Sequence, residues 1–579
     1  MAIDDSEFRN IPEPAHIDTP WSHSLPPAPR HSVTSHIPGW KALVKLSERD
    51  PVHLSKIVSI YPRILLHKDC VRLIEAIIKL LGLNPEQHTC FLFPRLQVAQ
   101  ACVSYITSPK RTDGKETLAT PSVSIRAFEN STIGTDKLYV FALVFPVDKL
   151  AHVMPWWSDT GVGISSRLAA HILNNLTGLQ EVPLATAPVL KGQLETPHRV
   201  LRERISYLVE RAPVTTRERK VQPSDVYLFQ SGMAAIYNVH QHLQRLAKNS
   251  KCKSVILGVS FYETRHILEK YGTGLKFFPT GTDVHGLEQF LRQEKAQGRP
   301  ILSLWTEYPS NPLLFTSNLI YLRQLADELG FVLVVDETIG GFCNVDMLPV
   351  ADIVVTSLTK TFSGYADVMG GSVVLNPTSK LYDDFKHHFD QEYVNDLYID
   401  DARALRHNSE DYLHRCAIIN SNTMMLTDWL YKQSKDDRSS IQTVFYPTTA
   451  HAGAQGNYEI FMRLPTVDFT PGYGCLFSLG FKSQQSAVAF YDNLHVYHGP
   501  HLGAHRTIAL GYTYLIYGAE EALKMADSGL SPAQIRVSVG LEDSKHLLHV
   551  FKYAVMKADE ARKDQLAKGA NGTDNATNG

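Results

Sequence analysis

Cysteine is sparse, with seven in 579 residues at 70, 90, 102, 252, 343, 416 and 475 and no CxxC pair. That excludes a disulfide framework and predicts free thiols in a reducing, cytoplasmic setting. Charge of one sign is lacking too. Fifty-seven Lys and Arg against 59 Asp and Glu leave a formal net charge of −2, with no pull toward nucleic acid or an anionic membrane. No apolar run is long enough to span a bilayer, so no membrane association is expected. The opening MAIDDSEFRNIPEPAHIDTP is acidic and proline-rich, unlike a signal or transit peptide. Gly161-Val162-Gly163 has no third glycine and is no dinucleotide fingerprint. His495, His498, His501 and His505 have suggestive spacing, but Gly499-Pro500 breaks any helix among them and no Cys or carboxylate cluster joins them. No metal site is expected.

What is present reads as several units. Residues 1–40, rich in Pro, His and Ser, read as a flexible segment without its own core. Residues 41–165 suggest a small α/β extension, with a helix in VRLIEAIIKLLGL (71–83) and a strand in LYVFALVFPV (138–147). From 166 to 440, apolar runs (SVILGVS, PILSLWTE, FVLVVDE, ADIVVTSL) alternate with amphipathic segments such as NLIYLRQLADELG. That alternation predicts an α/β domain with a mainly parallel sheet. Residues 441–560 read as a smaller C-terminal α/β domain, antiparallel around YEIFMRL and CLFSLGFK, and 561–579 as a disordered tail.

The polar residues of the middle block cluster where strands end, the rim at which such sheets bind ligands. Asp336 closes FVLVVD, Glu307 and Asn311 follow ILSLWT, and Lys360 follows ADIVVTSL. Ser231-Gly232-Met233 follows VYLFQ and opens a helix, a ready anion site. A lysine left at a strand end needs a partner, because an unpaired buried ammonium is costly. Phosphate turn, carboxylate and lysine are the three handles on pyridoxal 5'-phosphate: its phosphate, ring nitrogen and aldehyde carbon. Taken singly, each residue has an ordinary explanation as a cap, a turn or core packing. Together they point to the cofactor.

EYPSNPLL, VVDET, SLTKTFSGYADVMGG (357–371) and IRVSVGLED, in that order, resemble the cysteine/methionine-metabolism (trans-sulfuration) family of pyridoxal-phosphate enzymes over roughly 190–555. MPWWSDTGVGISSRLAAHIL (154–173) is similar to the N-terminal half of fungal cystathionine γ-synthases. The resemblance implies the aspartate-aminotransferase-type fold (fold type I) and a homodimer or homotetramer with small amino-acid substrates. It implies that Lys360 bonds the cofactor and moves protons, and that Asp336 pairs with the ring nitrogen. Ser231, Gly232 and Met233 would cradle the phosphate with Ser357 and Thr359. Tyr262 would stack on the ring, Asn311 would lie near its hydroxyl, and Arg536 would grip the substrate carboxylate.

Three departures stand out. Lys191 and Gln193 occupy the place of a Tyr-x-Arg pair that in the family reaches the neighbouring subunit's phosphate. Lys191, an arginine such as Arg199, or the N-terminal extension must substitute. The family's Ser-Leu-Gly near the substrate is His501-Leu502-Gly503, and its YGGT is YETR at Tyr262. The expected reaction is γ-substitution on an O-acyl-L-homoserine with L-cysteine, giving cystathionine. Replacement by sulfide or a carbon acid in specialised metabolism, or γ-elimination, is the alternative. A non-catalytic relative whose N-terminal half binds a partner is a third reading, disfavoured by the intact Lys360, Asp336 and Arg536.

Overall fold

Alternation of period two explains the first layer. The computed structural model describes residues 11–131, 137–188, 194–247 and 252–574. Strands β1 (His88–Phe93), β2 (Ser124–Asn130), β3 (Leu138–Pro146) and β4 (Leu179–Val182) form an antiparallel sheet in the order β1-β3-β2-β4. Cys90 and Leu92 point to one side, against Leu73 and Ile77 of the helix Lys68–Leu80. Phe91 and Phe93 point to the other, against Trp156, Trp157 and the helix Gly232–Leu246. Because both faces of β3 are covered, LYVFALVFP reads as a nearly continuous apolar run. The same sheet takes in β4, which pairs with β2 and follows the helix Ser166–Asn174.

The second layer is a seven-stranded sheet. Its strands are β5 (Val226–Phe229), β6 (Ser254–Leu257), β7 (Leu275–Phe278), β8 (Ser303–Glu307), β9 (Val332–Asp336), β10 (Ile353–Thr356) and β11 (Gly371–Leu375). Their order is β5-β11-β10-β9-β8-β6-β7, parallel except where β11 runs antiparallel between β5 and β10. The third layer holds β12 (Ile441–Phe445), β13 (Leu476–Phe481), β14 (Tyr497–His498), β15 (Ile508–Leu510) and β16 (Gln534–Ser538), ordered β12-β13-β16-β15-β14.

Three sequence expectations are corrected. The segment before residue 40 is docked from Pro14 onward, where the carbonyl of Pro14 meets His495 Nδ1 at 2.9 Å. The Val33 amide donates to Ala366 O and the Ile37 amide to His498 O, both at 2.8 Å, while Leu25 and Val33 pack on Ala366, Ala504 and Ile508. Its composition denies it a core of its own, but it borrows one, and its backbone N–H groups find carbonyls in two other layers. YEIFMRL is no strand: the helix Ala454–Glu459 covers its start, and Tyr458 and Phe461 are buried at helical spacing. The tail expected from 561 is helical through Asp574, continuing the helix that begins at Ser544. Arg562 fastens that helix to Asp437 O and Ser439 O. Among the described residues no helix is long and apolar enough to cross a membrane.

Candidate active site

Strand register builds the site. β8 and β9 pair so that Glu307 faces Asp336, and β9 and β10 pair so that Val355 faces Asp336. The chain leaving β10 thus carries Ser357, Thr359 and Lys360 across the carboxylate rim. Thr338 joins the two ends, since its N–H donates to Asp336 Oδ1 at 2.9 Å and its Oγ1 accepts from the Ser357 N–H at 2.8 Å. Burial, and for Glu307 the neighbouring Asp336, pushes both carboxyls up, while bonds from Thr338 pull Asp336 down. Glu307 accepts from the Phe261 and Asn311 amides at 2.6 and 2.8 Å.

Ser231 caps the helix Gly232–Leu246: its Oγ accepts from the Ala234 N–H at 3.0 Å and donates to Gly161 O at 2.9 Å. The first-turn N–H groups of Gly232 and Met233 have no intrahelical partner by construction. Gly232 is required by proximity, because a Cβ there would lie 2.7 Å from Ser357 Cβ. Gly161 has φ 63° and a Cβ on it would collide with Ser231 Oγ. Ser357 and the helix start are thus pressed into one small-residue cradle. Thr359 is fully buried and turned toward Gly370, to whose carbonyl it donates at 3.2 Å.

Lys360 sits between these features, partly exposed, its Nζ 4.6 Å from the centre of the Tyr61 ring. Burial first, then Arg536 and Arg63, bring its pKa down from 10.5 to about 7. Arg536, from β16, donates to Asn311 Oδ1 at 3.1 Å and to Pro500 O at 2.9 Å, with Tyr512 4.4 Å beneath its guanidinium carbon. Burial lowers its pKa to about 10. His501 is 1% exposed, both ring nitrogens lack a partner, and burial followed by Lys360 and Arg536 holds it well below the usual imidazole pKa. Tyr262 opens the helix Tyr262–Lys270 with its ring edge-on to His266 and Tyr517.

The structure therefore gathers Ser231, Gly232, Met233, Ser357, Asp336 and Lys360 at one strand rim, and Arg536, Asn311 and His501 beside them. The four clustered histidines diverge: His495 turns to Pro14 O, His498 to Leu494 O and His505 to Pro26 O. Lys191 and Gln193 lie outside the described residues, and Arg199 is exposed and bonded along its own helix to Thr196. Sequence reasoning missed Tyr61, Arg63, Glu263 and Tyr512. The motif Tyr61-Pro62-Arg63 was the available signal.

The residues fit pyridoxal phosphate, offering a small-residue cradle at a helix N-terminus, a buried carboxylate and an amine that is half neutral near pH 7. Fold and site define a fold type I pyridoxal-phosphate enzyme. The crystal structure of cystathionine γ-synthase from Xanthomonas oryzae pv. oryzae shares this fold at a TM-score of 0.51, with 21% identity over 63% of this chain and 87% of that one. The chain belongs to the Cys/Met metabolism PLP-dependent enzyme family, whose model matches residues 220–556, and its residues 69–165 match the N-terminal domain of fungal trans-sulfuration enzymes. It is 34% identical to the cystathionine gamma-synthase-like enzyme iboG2 of Amanita muscaria, over 93% of this chain and 96% of that one. Identity to the alanine racemase ungC of Aspergillus violaceofuscus is 33%, covering 90% and 94% of the two chains. For the cystathionine gamma-synthase of Saccharomyces cerevisiae it is 28%, covering 92% and 98%.

Proposed function

We propose that this chain catalyses γ-substitution on an O-acyl-L-homoserine, with L-cysteine as nucleophile and cystathionine as product. The observation that carries the reading is the convergence of Lys360, Asp336 and Arg536 on one rim, each from a different strand end or sheet. Bound pyridoxal phosphate supplies the electron sink that acidifies the substrate Cα–H and then its Cβ–H. Every other task falls to the chain. Arg536 orients the substrate carboxylate through its planar fork. Lys360, with an amine titrating near neutrality, takes the Cα proton, returns it elsewhere and removes the Cβ proton as the acyloxy group leaves Cγ. Asp336, kept in a desolvated pocket, would answer the ring N–H of the bound cofactor. Ser231, Gly232, Met233 and Ser357 would hold its phosphate, with Thr359 behind them. Tyr262 would cover the ring, and Asn311, held by Arg536, would meet its hydroxyl. The thiol of cysteine then adds at Cγ, Lys360 returns one proton to Cβ and one to Cα, and the thiol proton leaves with the released carboxylate, so that an ester C–O bond is exchanged for a thioether C–S bond.

A second reading keeps this activation and changes the nucleophile to sulfide or a carbon acid. It is supported by His501, a neutral, unpartnered imidazole beside Lys360 where the family pattern has serine. Relatives described as cystathionine gamma-synthase-like, and one described as a dechlorinase/desaturase of Streptantibioticus cattleyicolor, support it as well. Mass spectrometry of products from O-acetyl-L-homoserine with and without L-cysteine decides. Cystathionine formed only with cysteine supports the first reading. Oxobutyrate and ammonia in both tubes, without cystathionine, sink it and leave the second.

A further inference from the structure

The fold brings a distant carboxylate to His495. Glu13 and His16, from the docked N-terminal segment, meet that residue between the helix Gln484–Asn493 and β14. Glu13 Oε1 stands 3.2 Å from His16 Nε2 and 3.7 Å from His495 Nε2. One ligand atom from each of the three lies within 4.8 Å of the other two. Around a zinc ion with bonds of about 2.0–2.2 Å, tetrahedral neighbours stand about 3.3–3.5 Å apart, a separation these donors bracket. His495 is the fixed member. Its side chain is 7% exposed, and its Nδ1 lies 2.9 Å from Pro14 O, a carbonyl that only accepts, so Nδ1 carries the proton. In the neutral ring Nε2 is then a bare lone pair facing the Glu13 carboxylate, acceptor against acceptor. A proton on Nε2 answers this only by charging a ring stacked on His16 at 4.4 Å between centres, whose own Nε2 shares the same carboxylate oxygen. One divalent ion satisfies both imidazoles and the carboxylate together. A ring N–H held by a backbone carbonyl is also what orients a metal-binding histidine. Among the described residues His31, His67 and Asp69 form a similar group, but Arg30 already neutralises Asp69 through hydrogen bonds at 3.0 and 3.2 Å.

We propose that Glu13, His16 and His495 bind a zinc ion, and that the ion latches the start of the N-terminal segment to the edge of the third layer, where β14 is the outermost strand. Two imidazoles and a carboxylate are a donor set that zinc favours, with water completing the tetrahedron. Pro12 and Pro14 flank Glu13 and stiffen its backbone, so little ordering is needed to present its carboxylate. Just beyond, Ile17 lines a cavity of about 310 Å³ together with Tyr497, Arg506 and Leu547, so packing holds this stretch weakly. The ion supplies the cross-link that packing does not.

The test uses the full-length chain, cleared of metal by dialysis against a chelator and titrated with zinc chloride in competition with a chromogenic chelator. Wild-type protein should take up a single zinc per chain, and Glu13→Gln and His16→Ala should each weaken that affinity by at least about tenfold. Both residues are exposed, so neither change threatens folding. Hydrogen exchange reads the latch. Zinc should slow exchange of the amides in residues 13–17 of wild-type protein and leave them unchanged in His16→Ala. Equal affinity in wild type and both variants would place the zinc elsewhere and overturn the proposal, as would the absence of stoichiometric uptake. Zinc lost from the variants, but with no protection of residues 13–17 in wild type, would overturn the latch.

Discussion

Lys360 Nζ stands 4.6 Å from the centre of the Tyr61 ring, so the amine at the end of β10 is covered by an aromatic face from the N-terminal segment. The face steadies an ammonium, while burial and the nearby Arg536 and Arg63 favour the free amine. The second set prevails and leaves the amine titrating near neutrality.

That balance sets a pH dependence. Only the neutral amine bonds to an aldehyde, so the rate of cofactor uptake by apoenzyme should rise through a midpoint near pH 7 and level off above it, rather than climbing toward 10.5. Stopped-flow absorbance across pH 5–9 would measure it. Arg63→Gln removes a cation and should move the midpoint upward. An unfolded chain holds this proton up to about 10.5 and the folded chain only to about 7. Lys360 therefore makes apoenzyme stability rise with pH between those values and contributes no slope below them.

On the proposed reading, replacing the Lys360 amine removes covalent attachment and proton transfer together. Lys360→Ala should lack the yellow absorbance of the attached cofactor and lose turnover by about 1,000-fold or more. Steady-state assay beside an absorbance spectrum would show both, and near wild-type turnover would remove Lys360 from the mechanism.

On the proposed reading Arg536 grips the substrate carboxylate, and its guanidinium is already held by Asn311 and Pro500. Arg536→Lys keeps the charge and loses the fork. KM for the amino-acid substrate should rise about tenfold to a hundredfold, with a smaller change in kcat. An unchanged KM would place the carboxylate elsewhere.

Gly232→Ala would put a methyl group 2.7 Å from Ser357 Cβ, closer than two carbons can stand. The helix start and the end of β10 must then part, at a cost of about 1–3 kcal/mol. Thermal unfolding of apoenzyme should show a lowered Tm, and titration a weakened cofactor affinity.

The rim was legible in sequence because each apolar run ends on the residue that matters. VVDE, TSLTK and LFQSG end β9, β10 and β5 where the register brings them together. The carboxylate at Glu307 was visible too, but its pairing with Asp336 is a product of register, which no local pattern records. Tyr61 and Arg63 were not legible as site residues. They lie in irregular backbone, and their role exists only once that backbone crosses three layers. Glu263 read as a departure from a motif, and only its ion pair with Arg63 gives it a purpose. YEIFMRL was misread because a short apolar run fits either period, and Val345 bridges to Met462 in strand fashion beside the helix.

The docking of the N-terminal segment has a consequence for synthesis. Residues 33–40 leave the ribosome early, yet their partners at His498 and Asp492 are translated near the end. The central sheet can assemble during translation, and the strap around Arg63 can meet Ser158 and Glu263 as soon as they are made. Ile37 and Trp40 have no partners at His498 and Asp492 until the third layer appears. Docking of that first stretch is thus among the last acts of making the protein, though it is performed by nearly the first residues made.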